Sequence, residues 1–355
     1  MVSSPAALAL SDPVIVSFIT SHARVADLPS LCLITKSFHS SATRRLYHSL
    51  VLANSSAALL ACETLARTPA LATHVRGLVL GPGPPRMWQA LQPALEALPR
   101  LDALAIDARG MRLSWVLPLA PSFRLRDLRL CFPLEAQAAA FVRTQTALRT
   151  LLVAHTTAEV ADPDPIPEPD TMDLPFLSTV ECPLRLAHAL VRSPLTHLQV
   201  LGDSGADARA TGRDAHLLRL IPRLACAHKT LRSLSLYDVP EALTVDVVAL
   251  AAQHCPQLRY LGVLPLPAGP RTAVHEALIR FEALLMLEFE LGTWMPLPTG
   301  ALQRILVTEL HTFCPSLRTV SLWLSSRRFV WRHNTDTDVW EGQVDQRGLS
   351  GWKSV

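Results

Sequence analysis

The sequence predicts an α/β protein of stacked strand–helix units, a solenoid with parallel strands on a concave face and helices on a convex face. Three observations predict it. The chain of 355 residues is 49% hydrophobic and holds 63 leucines, so material for a large core is present. Ten copies of an L-x-x-L-x-L pattern, with Val, Ile, Cys or Phe as substitutes, follow one another with starts 18 to 36 residues apart. Between these patterns the apolar spacing changes to the i, i+3, i+4 period of a helix.

The ten patterns read Val75-Leu78-Leu80, Leu101-Leu104-Ile106, Leu125-Leu128-Leu130, Leu148-Leu151-Val153 and Leu177-Val180-Cys182 in the first half. Leu195-Leu198-Val200, Leu231-Leu234-Leu236, Leu258-Leu261-Val263, Leu284-Leu287-Phe289 and Leu317-Val320-Leu322 follow. The last two positions of each lie two apart and point to one side of a strand. The first packs the turn leading into it. Helical stretches are expected at 87–98, 134–144, 214–228, 241–254, 272–285 and 299–313. One strand and one helix cannot bury an apolar face alone, so the units must share a core. Each helix returns the chain, which makes successive strands parallel. Motif and period resemble those of leucine-rich repeats.

Two stretches break the rhythm. Residues 158–175 are rich in Pro and acid, and residues 202–213 in Gly, Asp and Arg. Both read as loops. Cys255-Pro256 and Cys314-Pro315 share one position: proline ends the preceding helix and cysteine is a small core residue. His254 beside Cys255 offers only two of the four ligands a structural zinc needs, so no metal site is expected.

Residues 8–50 carry no repeat. Pro13 follows a capping Ser11 or Asp12 and opens a helix through Thr20. A second helix is expected from Ala26 through Ile34 and a third from Ser40 to Tyr47. The order Pro13-Val14-Ile15 with Ile19, Asp27-Leu28, Leu31, Lys36-Ser37-Phe38 and Leu46-Tyr47 resembles an F-box. Leu10-Ser11-Asp12-Pro13 stands where an F-box usually opens with Leu-Pro, so the match is degenerate. An F-box ahead of leucine-rich repeats is the layout of the F-box/LRR substrate receptors, and the resemblance covers residues 8–325. It implies a non-catalytic subunit of an SCF-type cullin–RING ubiquitin ligase. Pro13, Val14, Ile15, Ile19, Leu28, Leu31 and Phe38 would dock a Skp-type adaptor carried by a cullin scaffold. The repeats would hold a protein substrate. Two alternatives stand beside it: the bundle merely caps the solenoid, or the chain is a leucine-rich scaffold without a ligase link.

The resulting division is 8–50 for the F-box-like bundle, 51–325 for about ten repeats, and 326–355 for a capping hairpin and tail. In the last, Phe329-Val330-Trp331 and Val339-Trp340 flank Asn334 to Asp338, and the two tryptophans are expected to pair across the strands. Residues 348–355 are expected to fray.

Strand residues flanking the inward leucines should face the concave surface. The candidates there are Asp107, Arg129, Glu181, Gln199, Tyr237, Tyr260, Glu288, Glu290 and Trp323. Tyr237, Tyr260 and Trp323 are the natural anchors for a partner. Charge argues against nucleic acid: the net formal charge is only +3, and the predicted face is mixed. No apolar run reaches the ~20 residues of a membrane span. Residues 1–20 have no Lys or Arg before their apolar part and read as a folded segment, not a signal peptide. Seven cysteines without a CxxC pair suit free thiols in a cytoplasmic or nuclear protein. G-x-S-x-G, G-x-x-x-x-G-K-[ST], H-E-x-x-H and G-x-G-x-x-G are all missing, and Gly81 to Pro85 is too rich in proline for a phosphate loop. Neither a catalytic site nor a cofactor is expected.

Overall fold

The computed structural model describes residues 12–154, 172–202, 213–227, 229–269, 271–345 and 351–353. The loops expected at 158–175 and 202–213 lie almost wholly outside them. The chain is mixed α/β, with twelve α-helices and thirteen strands among the described residues. It divides into two compact units, Met1–Leu148 and Arg149–Val355. No helix among the described residues is long and apolar enough to cross a membrane.

The first unit opens with three helices, α1 (Pro13–His22), α2 (Leu28–Leu31) and α3 (Lys36–His48). Asp12 caps α1 by accepting from the Val14 amide at 2.7 Å, and Pro13 occupies the first turn, where no donor is needed. Thr35 caps α3 by accepting from the Phe38 amide at 3.2 Å, so this helix starts four residues earlier than expected. The second helix is a single α-turn after a 3₁₀ turn at Val25–Asp27. Val16, Leu28, Phe38 and Ala42 form the bundle core.

Strands β1 (Ser49–Leu52), β2 (Gly77–Leu80), β3 (Ala103–Ile106) and β4 (Asp127–Leu130) follow. Between and after them lie α4 (Ser55–Arg67), α5 (Pro69–Ala72), α6 (Pro85–Glu96) and α7 (Ala136–Thr144). The strands pair in sequence order and parallel, which aligns Leu50, Leu78, Leu104 and Leu128 in one row. Leu52, Leu80, Ile106 and Leu130 make the next. Strand β1 is an addition to the sequence expectation. Between β3 and β4 the described connection holds only a 3₁₀ turn at Ser114–Val116.

The second unit contains β5 (Thr150–Val153), β6 (Thr179–Pro183), α8 (Leu184–Leu190), β7 (His197–Leu201), α9 (Arg213–Arg223) and β8 (Ser233–Leu236). It continues with α10 (Thr244–His254), β9 (Tyr260–Pro265), α11 (Thr272–Leu278), β10 (Met286–Glu290), α12 (Gly300–Phe313) and β11 (Thr319–Leu324). Strands β12 (Arg327–Asn334) and β13 (Val339–Asp345) end it. Strands β5 to β11 pair in order and parallel. The last two form an antiparallel hairpin joined to β11.

Every apolar position of the ten sequence patterns is buried. One pattern needs correction. Leu261 faces Leu287 but Leu264, not Val263, faces Phe289, because a bulge shifts the register between β9 and β10. The hairpin corrects a second expectation. Trp331 lies opposite Gly342 and Trp340 opposite His333, so the tryptophans do not pair directly. A Cβ at Gly342 would come within 2.9 Å of the Trp331 ring. The Trp331 indole donates to Gln303 on α12 at 3.2 Å, which ties hairpin to helix. A third correction concerns residues 348–355. Their described part, Gly351–Lys353, is a 3₁₀ turn with a buried Trp352; the remainder lies outside the described residues.

None of the seven cysteines is in a disulfide. Cys255 and Cys314 end α10 and α12 as core residues, and burial pushes the Cys255 thiol up to about 12.

Three histidines of the second unit sit below their usual pKa of 6.5, and burial is the main cause each time. His188 on α8 donates from Nε2 to the His216 carbonyl at 3.0 Å, and its Nδ1 meets the Arg223 guanidinium at 3.0 Å. Arginine only donates, so Nδ1 accepts and the ring is neutral. Protonation would set an N–H against that guanidinium. A lowered folded pKa leaves the unfolded chain binding protons more readily. The stability involved is therefore complete above pH 6.5 and lost as pH falls below it. The melting midpoint is expected to be flat above neutrality and to fall through the acid side of 6.5, less steeply in His188→Gln. Melting curves across pH 5–8 check this, and an unchanged slope in His188→Gln would overturn the assignment.

Candidate functional site

Three surfaces carry the residues singled out by the sequence. The first is the helical bundle. Pro13, Val14 and Ile15 are exposed on α1, while Ile19 and Leu31 are half-buried. Leu28 and Phe38 are buried and hold the bundle together; neither is free to meet a partner. Both fall inward because α3 packs against both α1 and α2, and the core needs large side chains there. The structure adds Phe18, Val25, Leu33 and Ile34, all exposed. The signal for Phe18 was in the sequence: α1 is apolar on more positions than its one buried stripe, Val16 and Thr20, requires.

The second surface is the open face of β1 to β4. Val51, Val79, Ala105 and Arg129 stand side by side across the four strands. With Asp107 they line a shallow hollow of about 190 Å³. Asp107 is engaged by Arg109 at 3.3 Å. Arg129 is exposed.

The third surface is the corresponding face of β6 to β11. Parallel pairing places Thr179, His197, Ser233, Tyr260, Met286 and Thr319 in one row. Glu181, Gln199 and Ser235 form part of the next. Several expected anchors are interior. Tyr260 and Glu288 are fully buried and Gln199 nearly so. The Tyr260 hydroxyl donates to Glu288 Oε2 at 2.5 Å, and the Trp323 indole to Oε1 at 2.6 Å. Arg328 Nε lies 2.9 Å from the same Oε1. Arg328 also donates to Asp345 at 3.0 Å and Ser321 at 3.1 Å, with its guanidinium over the Trp323 ring. Two features cause this burial. Gly262 leaves room, since a Cβ there would lie 2.5 Å from Glu288 Cβ. The β12–β13 hairpin then brings Arg328 over the carboxylate. Tyr237 and Trp323 remain half-buried, and Glu290 is exposed.

Residues Gly351–Lys353 lie on this same face, against β7, β8 and β9. The Trp352 ring sits 6.3 Å from His197, and Lys353 Nζ is 4.0 Å from Glu181 Oε2. Burial records the cover. Strands β2 to β4 alternate between open and buried positions, whereas every residue of β8 and β9 is buried. Gln199 Oε1, Ser233 Oγ and Ser235 Oγ are buried there without a hydrogen-bond partner among the described residues.

One further group could offer metal ligands. His311, His333 and Asp338 bring donor atoms within 4.8 Å of one another. His333 Nε2 is already paired with Asp338 at 3.0 Å, and the His311 and His333 rings lie tilted at 38° with centroids 4.4 Å apart, beside Trp340. Three donors fall one short of a closed tetrahedral site. The arrangement fastens the hairpin turn to α12.

No protein-family model matches the chain, and no curated protein matches it.

Proposed function

We propose that the chain is a leucine-rich-repeat solenoid acting as a non-catalytic substrate receptor of an SCF-type cullin–RING ubiquitin ligase. The bundle docks a Skp-type adaptor, and the sheet face of the second unit receives a protein substrate. One observation carries the reading. The bundle of some forty residues leaves Val14, Phe18 and Leu33 at 75%, 65% and 88% exposure, with Ile15, Val25 and Ile34 also exposed. So many large apolar side chains on so small a body mark a protein-binding surface. A pure cap would turn them inward.

The test co-expresses the full chain with a Skp-type adaptor. The two are expected to co-purify, and Val14→Asp, Phe18→Asp and Leu33→Asp together should reduce recovery at least tenfold with melting unchanged. These exposed positions avoid the ambiguity of Leu28 or Phe38, whose loss would unfold the bundle. No complex, or one indifferent to the triple substitution, leaves a scaffold without a ligase link.

A further inference from the structure

We propose that Gly351–Lys353 is a built-in stand-in for the substrate, and that the face of β6 to β9 accepts a protein segment with an aromatic residue followed by lysine or arginine. The inference rests on reading that face as the partner site.

The seated segment displays the chemistry the face selects. Trp352 is only 4% exposed although it belongs to a single 3₁₀ turn, so the sheet face, not its own helix, buries it. Its ring lies beside His197 in the first row. The next residue, Lys353, points its ammonium at Glu181 in the second row and lies 4.8 Å from the Trp352 ring centre. A flat aromatic body is thus placed over β7 to β9, with a cation held two residues further along the β6 strand. The ion pair is partly solvated, so it selects the partner more than it tightens binding.

The fit is incomplete. Ser233, Ser235 and Gln199 stand on this same face with buried oxygens that find no partner among the described residues. A buried polar atom without a hydrogen bond is unfavourable. An extended segment running across β7 and β8 would bring backbone N–H and C=O groups within reach of all three. An incoming partner can therefore satisfy groups that the internal segment leaves unpaired. Tethering still favours the internal segment, because its effective concentration is on the order of millimolar. The result is a face closed to weak ligands and opened by a partner that makes the additional hydrogen bonds.

The probe is a labelled peptide, acetyl-Ser-Gly-Trp-Lys-Ser-amide, titrated against the full chain by fluorescence anisotropy. Trp352→Ser is expected to bind it at least tenfold more tightly than the unaltered chain. Glu181→Ala on that background should weaken binding several-fold, and a peptide with alanine for tryptophan should not bind. Melting curves confirm that each variant is folded. Equal binding by both chains, or binding by neither, overturns the inference. So does a dimer that Trp352→Ser dissolves, since the segment would then sit on a second copy. The adaptor experiment, also on the full chain, reads out the bundle surface and not this face. Adaptor recovery without peptide binding sinks the stand-in only, and peptide binding without adaptor recovery sinks the ligase reading only.

Discussion

Glu288→Ala is expected to lower the unfolding free energy by about 3–5 kcal/mol, the usual result of removing one partner from a buried ion pair. Two donors and a cation converge on this carboxylate from three strands: the Tyr260 hydroxyl and the Trp323 indole donate to it, and the Arg328 guanidinium pairs with it. Alanine removes one carboxylate from Arg328, which is itself 5% exposed and also donates to Asp345 and Ser321. It also removes the Glu288 acceptor to which the buried Tyr260 hydroxyl donates. Urea unfolding followed by circular dichroism measures the loss. A double-mutant cycle with Arg328→Ala should show the double variant less destabilised than the sum of the singles, with a coupling of about 0.5–3 kcal/mol. A loss in Glu288→Ala below about 1 kcal/mol would mean that the hairpin re-forms around the gap. The same network predicts that the hairpin melts together with β9 to β11 and does not peel away first.

Trp88→Ala should be about as severe in the first unit, about 3–5 kcal/mol for a large core residue cut to alanine. Trp88 is fully buried on α6 beside Met87, Leu91 and Leu95. Its indole donates to the Gly83 carbonyl at 3.0 Å, across the Gly81-Pro-Gly-Pro-Pro turn that enters the helix. That turn has no side-chain cap, so the indole bond is the side-chain tie between turn and helix. Trp88→Phe keeps most of the volume and loses the donor, which separates the packing part of the effect from the hydrogen bond. If Trp88→Phe proves as damaging as alanine, the indole bond outweighs the packing. If Trp88→Ala costs under about 1.5 kcal/mol, the pocket collapses and the packing account fails.

The strands were legible because two physical periods meet in each pattern. A leucine three residues before a pair spaced two apart can bury all three only as a turn followed by a strand. Strand β1 escaped because Leu50 and Leu52 stand alone, with α3 ending immediately before them. Alternation also placed Tyr260 and Glu288 on the correct face. It said nothing about what covers that face. The cover comes from Arg328 and Trp352, residues whose partners lie far away in sequence and belong to elements with no repeat of their own. The bundle shows the converse error. The F-box resemblance gives Leu28 and Phe38 to a partner, whereas the packing of α3 against α1 and α2 takes both into the core. Phe18, by contrast, was readable from the surplus of apolar positions on α1. The hairpin pattern sets Trp331 against Trp340; the structure places Trp331 opposite Gly342 and bonds it to Gln303 on α12, which no local pattern encodes.

Within each unit, strands adjacent in the sheet are also consecutive in the chain, so each seam is closed by one local connection. Among the described residues the strand order contains no crossover. A strand with its helix can therefore be duplicated or lost without rerouting the remainder, provided the leucine rows stay aligned. Each unit can thus change length in whole steps of one strand and its connection while its leucine rows stay continuous.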